Sequence, residues 1–284
     1  MAEITGRLTA REYLEKSLAW SIRVRGETNR VLDLPYGTDE KQKLDVYLPE
    51  DSSPGNPSSA AMPVLIFLHG GYWVAGHKDI LGFMAPPITA APAILVSAGY
   101  RLSPGAKYPQ QVDDCRNALR WVYENISQHG GDPDRIFIGG HSAGGHLASL
   151  VTLQRSRLPE FHLPEDIVKA CFPVSGVFDI SESPMERQEA LLTSLDQAHD
   201  ASPVYNTAGN SAPFFLEIGG DDFPDLRRQH PEMVKALKSE AARVEEMERL
   251  GHNHFEISLD HGALGNPWSR KVVEWMLLQI PRGR

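Results

Sequence analysis

Apolar residues along the chain fall into two alternating patterns. Continuous, mostly apolar runs with the length of strands buried on both faces occupy residues 64–68, 93–97, 135–138, 170–175 and 214–218. Between them, apolar residues recur every three or four positions, as after Pro109 and over residues 225–240 and 268–280. This alternation predicts an α/β domain with a mostly parallel central sheet flanked by helices.

Weaker signals complete the predicted element order. Thr9 and Glu12 have the spacing of a capping box, which predicts an N-terminal helix. Four residues share the face that this helix is expected to pack against the domain: Tyr13, Leu14, Ser17 and Leu18. We predict early strands over residues 31–34 and 43–48, a surface loop over 50–63 and a turn over 130–133. Residues 244–250 look locally helical, but the α/β plan needs a strand there, so we predict a strand.

The length of 284 residues suits one domain, because neither half alone would hold an independent sheet. Residues 1–284 are therefore expected to form a single domain. Residues 177–205 break the alternation of strand and helix, with Pro184 and Pro203 inside the segment. We expect this segment and residues 9–30 to form a small cap region where a substrate pocket is built.

Composition excludes several classes of partner. The formal net charge is −9, and no Lys/Arg cluster stands out, which argues against nucleic acid and anionic membrane surfaces. No apolar run is long enough to span a bilayer, and the N-terminal residues lack the apolar core of a signal peptide. Cys115 and Cys171 are far apart and predicted to be buried, lone thiols. These features predict a soluble cytoplasmic protein.

The candidate chemistry begins at residues 139–145, a glycine-dense turn that contains the pattern G-x-S-x-G. A β-rich run precedes the turn and a helical pattern follows it, which is typical of a nucleophile elbow, where a strained turn exposes a serine hydroxyl. Gly140 and Gly144 suit such a turn because strand and helix cross closely on either side of the serine. Ser142 is therefore the candidate nucleophile.

A nucleophilic serine needs a histidine base and an acid that orients the base. In α/β-hydrolases these follow the serine in the order acid, then histidine, each after a strand. Asp222 and His254 meet this order. The spacing from the strand-ending glycine favours Asp222 over its neighbour Asp221, which is left as a hydrogen-bonding neighbour or helix cap. His252 competes with His254, which we prefer because the next residue, a phenylalanine, can anchor the loop in the core.

Other histidines allow a metal-binding alternative. The spacing of His252 and His254, with His261 beyond, could suggest a metal site, but no matching carboxylate and histidine motif lies nearby. We therefore predict no metal and no cofactor. His141 and His146 are expected to be packing or polar neighbours of the elbow, without an assigned role.

The oxyanion that forms during acyl transfer needs backbone N–H donors. Ala143, which follows the nucleophile, is one candidate donor. Gly70, Gly71 and Tyr72 follow a central strand and are the others. The alternative is that residues 69–71 form a tight turn with a structural role only. Tyr72 and Trp73 are expected to line the substrate pocket, although an aromatic residue after a turn is more often core.

Together these segments resemble the kynurenine formamidase (arylformamidase) branch of the α/β-hydrolase esterases and lipases. The segments that carry the resemblance are residues 69–73 with 78–79, 35–37 with 44–47, 140–148, 175–179 and 254–257. The resemblance covers about residues 9–280. It implies the α/β-hydrolase fold, Ser142, Asp222 and His254 as the catalytic triad, and residues 69–73 as the oxyanion hole.

Residues 100–104 and 108–109 are instead similar to hormone-sensitive-lipase-like carboxylesterases. The leading hypothesis is a metal-independent serine hydrolase of small carboxylic esters, short-acyl or aryl, that acts through an acyl-enzyme. The alternative is an arylformamidase that hydrolyses N-formylkynurenine, and a more distant one is a ligand-binding module that has lost catalysis. The expected partner is a small ester or aryl formamide, with no nucleic acid and no membrane, and a homodimer is left open.

Overall fold

The computed structural model describes residues 7–50, 52, 61–240 and 242–278. Within these residues, eight strands form one sheet in the order β1-β2-β4-β3-β5-β6-β7-β8. The strands are β1 (Asn29–Pro35), β2 (Lys43–Leu48), β3 (Met62–Leu68), β4 (Ile94–Ala98), β5 (Gly131–His141), β6 (Val168–Val174), β7 (Phe214–Gly219) and β8 (Val244–Arg249). The pairs β1/β2 and β2/β4 are antiparallel, and the other five are parallel. The predicted fold class, a mostly parallel sheet flanked by helices, is confirmed.

Helices connect the strands. They are α1 (Ala10–Glu27), α2 (Ala85–Thr89), α3 (Gln110–Asn125), α4 (Ala143–Leu153), α5 (Met185–Leu191), α6 (Pro224–Ser239), α7 (His254–Asp260) and α8 (Pro267–Leu277). Short 3₁₀ segments follow several of the strands and helices, among them residues 78–84. Of the helices in the described ranges, none is both long enough and apolar enough to cross a membrane.

The central strands of the sheet are buried on both faces, as their apolar runs predicted. Along β3, Val64 and Ile66 belong to one apolar cluster, whereas Leu65 and Phe67 belong to another. Because neighbouring side chains of a strand point to opposite faces, the two clusters lie on the two sides of the sheet. Because β3 to β8 run parallel, their carboxyl ends and the loops after them meet at one edge of the sheet.

The N-terminal helix begins at the predicted capping box, and its buried face matches the predicted one in part. Tyr13 and Ser17 are buried as predicted, together with Ser21, whereas Leu14 and Leu18 are each 39% exposed, so the prediction that these two leucines pack inward was wrong. The small Ser21 side chain allows α1 to approach residues 78–84 closely, and its hydroxyl accepts a hydrogen bond of 3.0 Å from the backbone N–H of Phe83. Backbone contact, rather than apolar area, therefore selects the buried face.

Three other predictions have different outcomes. Residues 244–250, assigned by topology against local propensity, do form β8 from Val244 to Arg249. Residues 130–133 are not a separate turn, because β5 already begins at Gly131, beside β3. Helix α7 was missed. The loop predicted over residues 50–63 lies mostly outside the described residues.

A buried lysine joins the first elements of the chain. Lys78 is 2% exposed, and its ammonium contacts the carboxylates of Asp33 and Asp45 at 2.7 Å and Asp79 at 2.9 Å. Arg25 of α1 also pairs with Asp45 and Asp79, at 3.1 and 2.7 Å. Burial alone would lower the pKa of Lys78, but its hydrogen bonds with the carboxylates raise it. The ammonium occupies the space among three carboxylates that could otherwise hold a cation.

Replacing this lysine should destabilise the fold strongly. Lys78→Met would remove the ammonium bonded to the buried carboxylate of Asp45 and leave this charge to the Arg25 guanidinium, 3.1 Å away, so the free energy of unfolding should fall by about 3–5 kcal/mol. Urea denaturation followed by circular dichroism measures this loss. Lys271→Met is the matched control, because Lys271 pairs with Glu245 at 3.0 Å on the surface and should lose less than about 1 kcal/mol. Equal losses in the two variants would show that the Lys78 cluster does not stabilise the fold.

Candidate active site

The nucleophile elbow joins β5 to α4. Ser142 has φ 56° and ψ −118°, a conformation that side chains rarely adopt and that lifts its hydroxyl out of the turn. The close crossing explains both flanking glycines. A Cβ at Gly140 would lie 2.3 Å from the carbonyl carbon of Gly144, and a Cβ at Gly144 would lie 2.1 Å from the carbonyl oxygen of Leu68. Any larger residue at either position would therefore push β3, β5 and α4 apart.

The three residues predicted to form the triad lie in one hydrogen-bonded chain. His254 Nε2 is 2.9 Å from Ser142 Oγ, and His254 Nδ1 is 2.8 Å from Asp222 Oδ1. Asp222 lies after β7, and His254 follows the loop after β8 and is the first residue of α7. Because a carboxylate can only accept, Nδ1 carries the proton and Nε2 is left to accept the proton of the serine. This geometry provides a nucleophile, a base and an acid that orients the base.

Asp222 is held in its charged form. Burial alone would raise its pKa, but the hydrogen bond and the charge of His254, together with bonds from Ser175 and the backbone N–H of Phe223, keep the pKa below the usual 3.8. Ser175 Oγ donates to Asp222 Oδ2 at 2.5 Å, and the Phe223 N–H donates to Oδ1 at 2.7 Å. The role of Ser175 as a hydrogen-bond donor to Asp222 was not predicted from the sequence. The feature that could have indicated it is the position of Ser175 directly after a buried strand next to the elbow strand.

The two competing residues have other partners. Asp221 forms an ion pair of 3.2 Å with Arg7, and both side chains are exposed. His252 Nδ1 donates to the carbonyl of Leu250 at 3.1 Å, so its ring turns away from the serine. The preference for Asp222 and His254 over these neighbours therefore agrees with the geometry.

The histidines of the metal alternative also separate. His261 is completely buried, and its Nε2 lies 2.6 Å from Glu217 Oε2, while its ring stacks on Trp268 at 4.2 Å. His254 faces Asp222, and the Nε2 of His252 lies 3.9 Å from Asp260. The three side chains thus have three different partners and do not share a centre.

The predicted oxyanion turn lies directly beside the nucleophile. A Cβ at Gly70 would be 3.2 Å from the Cβ of Ser142, so this backbone borders the reacting atom. Gly71 has φ 127°, and a Cβ there would lie 2.2 Å from the carbonyl oxygen of Ala75. The turn is closed by a hydrogen bond of 2.9 Å from the N–H of Ala75 to the Gly71 carbonyl. Ala143 is the first residue of α4, where N–H groups have no acceptor within the helix. The arrangement can present backbone donors to an oxyanion on Ser142.

The two aromatic residues after this turn have different surroundings. Tyr72 is 38% exposed, and the guanidinium of Arg187 from α5 lies 5.5 Å above its ring. Trp73, in contrast, is completely buried and packs edge-on against His146 at 5.0 Å. The expectation that Trp73 lines the pocket is therefore corrected. Both residues have a left-handed backbone, φ 59°, but only the side chain of Tyr72 is exposed to solvent.

The side chain of His69 supports the predicted oxyanion turn. The ring of His69 stacks on Tyr100 at 4.2 Å, and its Nδ1 donates to the carbonyl of Gly70 at 2.8 Å. Tyr100 in turn donates its hydroxyl to the carbonyl of His69 at 2.8 Å. Burial lowers the pKa of His69 to about 4, so its ring is neutral near pH 7. His69 was predicted as part of the oxyanion motif, but the hydrogen bond by which its side chain holds the turn was not predicted.

Apolar side chains and one ion pair border the opening. The exposed ring of Phe223 lies 4.7 Å from the ring of His254. Across the site, Arg187 pairs with Asp225 of α6 while it covers Tyr72. Residues 177–205 thus contribute α5 to the border of the site, and they are otherwise short 3₁₀ turns and loops.

Comparison with known proteins gives a family match and several named relatives. The family model described as BD-FAE matches residues 44–224. Kynurenine formamidase of Danio rerio is 31% identical over 242 residues, which cover 83% of this chain and 78% of that protein. Esterase LipC of Mycobacterium tuberculosis is 30% identical over 269 residues, which cover 88% of this chain and 65% of that protein.

A solved structure resembles the whole fold. EstE1, a thermophilic carboxylesterase cloned from a metagenomic library, superposes with a TM-score of 0.72 at 23% identity. The match covers 94% of this chain and 93% of EstE1. At this identity the likeness concerns the fold alone, which is that of the α/β-hydrolases. With the family match over most of its length, the chain belongs to the BD-FAE family of α/β-hydrolases.

Proposed function

We propose that the protein is a serine hydrolase that cleaves small carboxylic esters through an acyl-enzyme. The observation that carries this proposal is the hydrogen-bonded chain from Ser142 Oγ through His254 to Asp222, at 2.9 and 2.8 Å. The relatives support it, because LipC is named an esterase and other relatives are named carboxylesterases. Two buried, free cysteines also support a reducing compartment such as the cytoplasm.

The proposed reaction has two halves. His254 Nε2 takes the proton of Ser142 as Oγ attacks the acyl carbon, and the imidazolium gives this proton to the leaving alcohol. Water then attacks the acyl carbon while His254 takes its proton, and this proton passes to Ser142 Oγ as the bond between Oγ and the acyl carbon breaks and the acid product leaves. The backbone N–H groups of Gly70, Gly71, Tyr72 and Ala143 are the proposed donors to the oxyanion in both halves. No metal or cofactor is needed for these steps.

The charges of the groups around His254 suit its proposed role as the base. Asp222, whose pKa is kept low, is already charged and can stabilise the imidazolium produced when His254 takes the serine proton. Neighbouring His69 and His141 have lowered pKa values because they are buried, so neither adds a positive charge at neutral pH. The charge of Asp222 therefore acts on the base without opposition from a charged His69 or His141.

An arylformamidase is the second candidate. Its support is the 31% identity to a kynurenine formamidase over 83% of this chain. Hydrolysis of N-formylkynurenine would use the same proposed triad, with formyl as the acyl group and an aromatic amine as the leaving group. The exposed rings of Tyr72 and Phe223 border the site and could contact such an aromatic group.

Removal of the nucleophile should abolish ester hydrolysis. Ser142→Ala should lower kcat for p-nitrophenyl acetate by at least about 10⁴-fold, because no other group can form the acyl-enzyme. Ser149→Ala is the matched control: this serine lies on the same helix, and its hydroxyl donates to the Gly145 carbonyl at 2.8 Å. It should keep kcat within about threefold. Full turnover by Ser142→Ala would refute the proposed mechanism.

The two neighbouring aspartates should differ sharply. Asp222→Asn should lower kcat by about 10⁴-fold, because the amide favours the wrong tautomer of His254. Asp221→Asn removes only an exposed ion pair with Arg7 and should leave kcat nearly unchanged. Steady-state kinetics with p-nitrophenyl butyrate compares the two variants. A greater loss in Asp221→Asn would assign the acid to the other residue.

The substrate can be decided by one comparison of kcat/KM. N-formylkynurenine should be measured beside p-nitrophenyl acetate, butyrate and octanoate, with Ser142→Ala as the control. For a carboxylesterase we expect rapid hydrolysis of the short-acyl esters and a negligible rate with the formamide. A formamide rate constant at least tenfold above the ester ones, equivalent to about 1.4 kcal/mol, would instead identify a kynurenine formamidase.

A further inference from the structure

His141 is the residue before the candidate nucleophile, and its side chain is buried beside the candidate active site. It ends β5, is only 2% exposed, and its Nε2 lies 2.8 Å from the backbone carbonyl oxygen of His254. A carbonyl can only accept, so Nε2 carries the proton and donates it to this bond. The side chain of the elbow thereby binds the backbone of the proposed base, 113 positions away in the chain.

The contact gives His254 two attachments to one short segment. Its imidazole Nε2 meets Ser142 Oγ at 2.9 Å, and its carbonyl meets His141 Nε2 at 2.8 Å. His141 and Ser142 are consecutive residues of the same strained turn, which the surrounding glycines hold in place. The distance between nucleophile and base is therefore set by a rigid part of the fold and not only by the loop after β8.

Ring packing fixes the orientation of His141. Its ring lies 4.6 Å from the ring of His254 on one side and 5.9 Å from the ring of Tyr13 on another. Tyr13 belongs to α1, and its hydroxyl is 2.9 Å from Ser258 Oγ, while its ring lies 5.8 Å from Phe255. Helix α1 thus closes over His141 and over the first turn of α7 together.

The charge of His141 also suits a place beside the base. Burial, and then the neighbouring His254, keep the pKa of His141 well below the usual 6.5, so its ring is neutral at neutral pH. A neutral aromatic ring can lie beside the imidazolium that forms on His254, whereas a charged ring would repel it.

We propose that His141 is a positioning residue for ester hydrolysis, which holds His254 at the distance and angle needed to take the proton of Ser142. This inference rests on the proposed function, because it assigns a role toward the proposed base. The hydrogen bond of His141 goes to the backbone of His254, so its proposed action on the reaction is through the base.

The test compares three variants at position 141. His141→Leu removes the hydrogen bond and should lower kcat for p-nitrophenyl butyrate by about 10- to 100-fold, since displacements of about 1 Å cost up to about 100-fold. KM should stay within twofold, because the groups that border the substrate are unchanged. His141→Gln, whose amide can donate near the position of Nε2, should recover most of kcat, whereas His141→Asn is too short to reach the carbonyl and should resemble His141→Leu.

A second readout is independent of substrate. The rate constant for phosphonylation of Ser142 by a p-nitrophenyl alkylphosphonate should fall in parallel with kcat, because this reaction also needs the base. Should His141→Leu fail to fold, the pair His141→Gln and His141→Asn still decides the question. A tenfold or greater advantage of Gln over Asn in kcat is expected.

His146→Leu is the matched control. His146 is also a buried histidine near the elbow, and it donates its Nε2 proton to the carbonyl of Ala201 at 2.7 Å rather than to the base. It should lose a similar amount of thermal stability while its phosphonylation rate changes less than about threefold.

The possible outcomes separate this inference from the proposed function. If Ser142→Ala abolishes hydrolysis but His141→Leu keeps kcat and phosphonylation within twofold, the positioning role is overturned and the proposed function stands. Equal rates for His141→Gln and His141→Asn would overturn it as well. If Ser142→Ala remains active, the proposed function fails first, and with it the role of His141.

Discussion

The close approach of three backbone segments at the elbow is the constraint on which the rest of the site depends. A Cβ at Gly144 would lie 2.1 Å from the carbonyl of Leu68, and one at Gly140 would lie 2.3 Å from the backbone of Gly144. At this separation the end of β3 and the start of α4 meet, so Ser142 adopts a strained conformation and Gly70 comes to border it. The candidate nucleophile and the predicted oxyanion donors are neighbours because of this one crossing.

Topology explains why so much of this arrangement could be predicted. Parallel strands bring their carboxyl ends to one edge of a sheet, so a serine after β5, an aspartate after β7 and a histidine after β8 must approach each other. The central strands are buried on both faces, which gives them an apolar run that is easy to detect. The same plan predicted β8 correctly against its local helical propensity. Element order and chain order were therefore sufficient for the fold and for the proximity of Ser142, Asp222 and His254, whose catalytic roles stay a prediction.

The errors occur where local packing decides the outcome. Helix α7 has only seven residues, too few for a helical period to stand out, although Asn253 and Glu256 form the capping box that begins it. In α1, the apolar pattern favoured Leu14 and Leu18, but the helix instead packs through Ser21, whose small side chain permits closer contact. Periodicity measures apolar area and does not measure how closely two backbones can approach.

Buried polar side chains are the part of the site that hydrophobic patterns cannot predict. His69, His141 and Ser175 are each at most 2% exposed, and an apolar pattern does not indicate which groups such buried polar side chains bind. Each is tolerated in the interior because it has a hydrogen-bond partner, and two of these partners are distant in the chain: His254 is 113 positions from His141, and Asp222 is 47 from Ser175. The motif identifies which atoms can react. The supporting hydrogen bonds, which set the distances between those atoms, depend on contacts that exist only once the chain has folded.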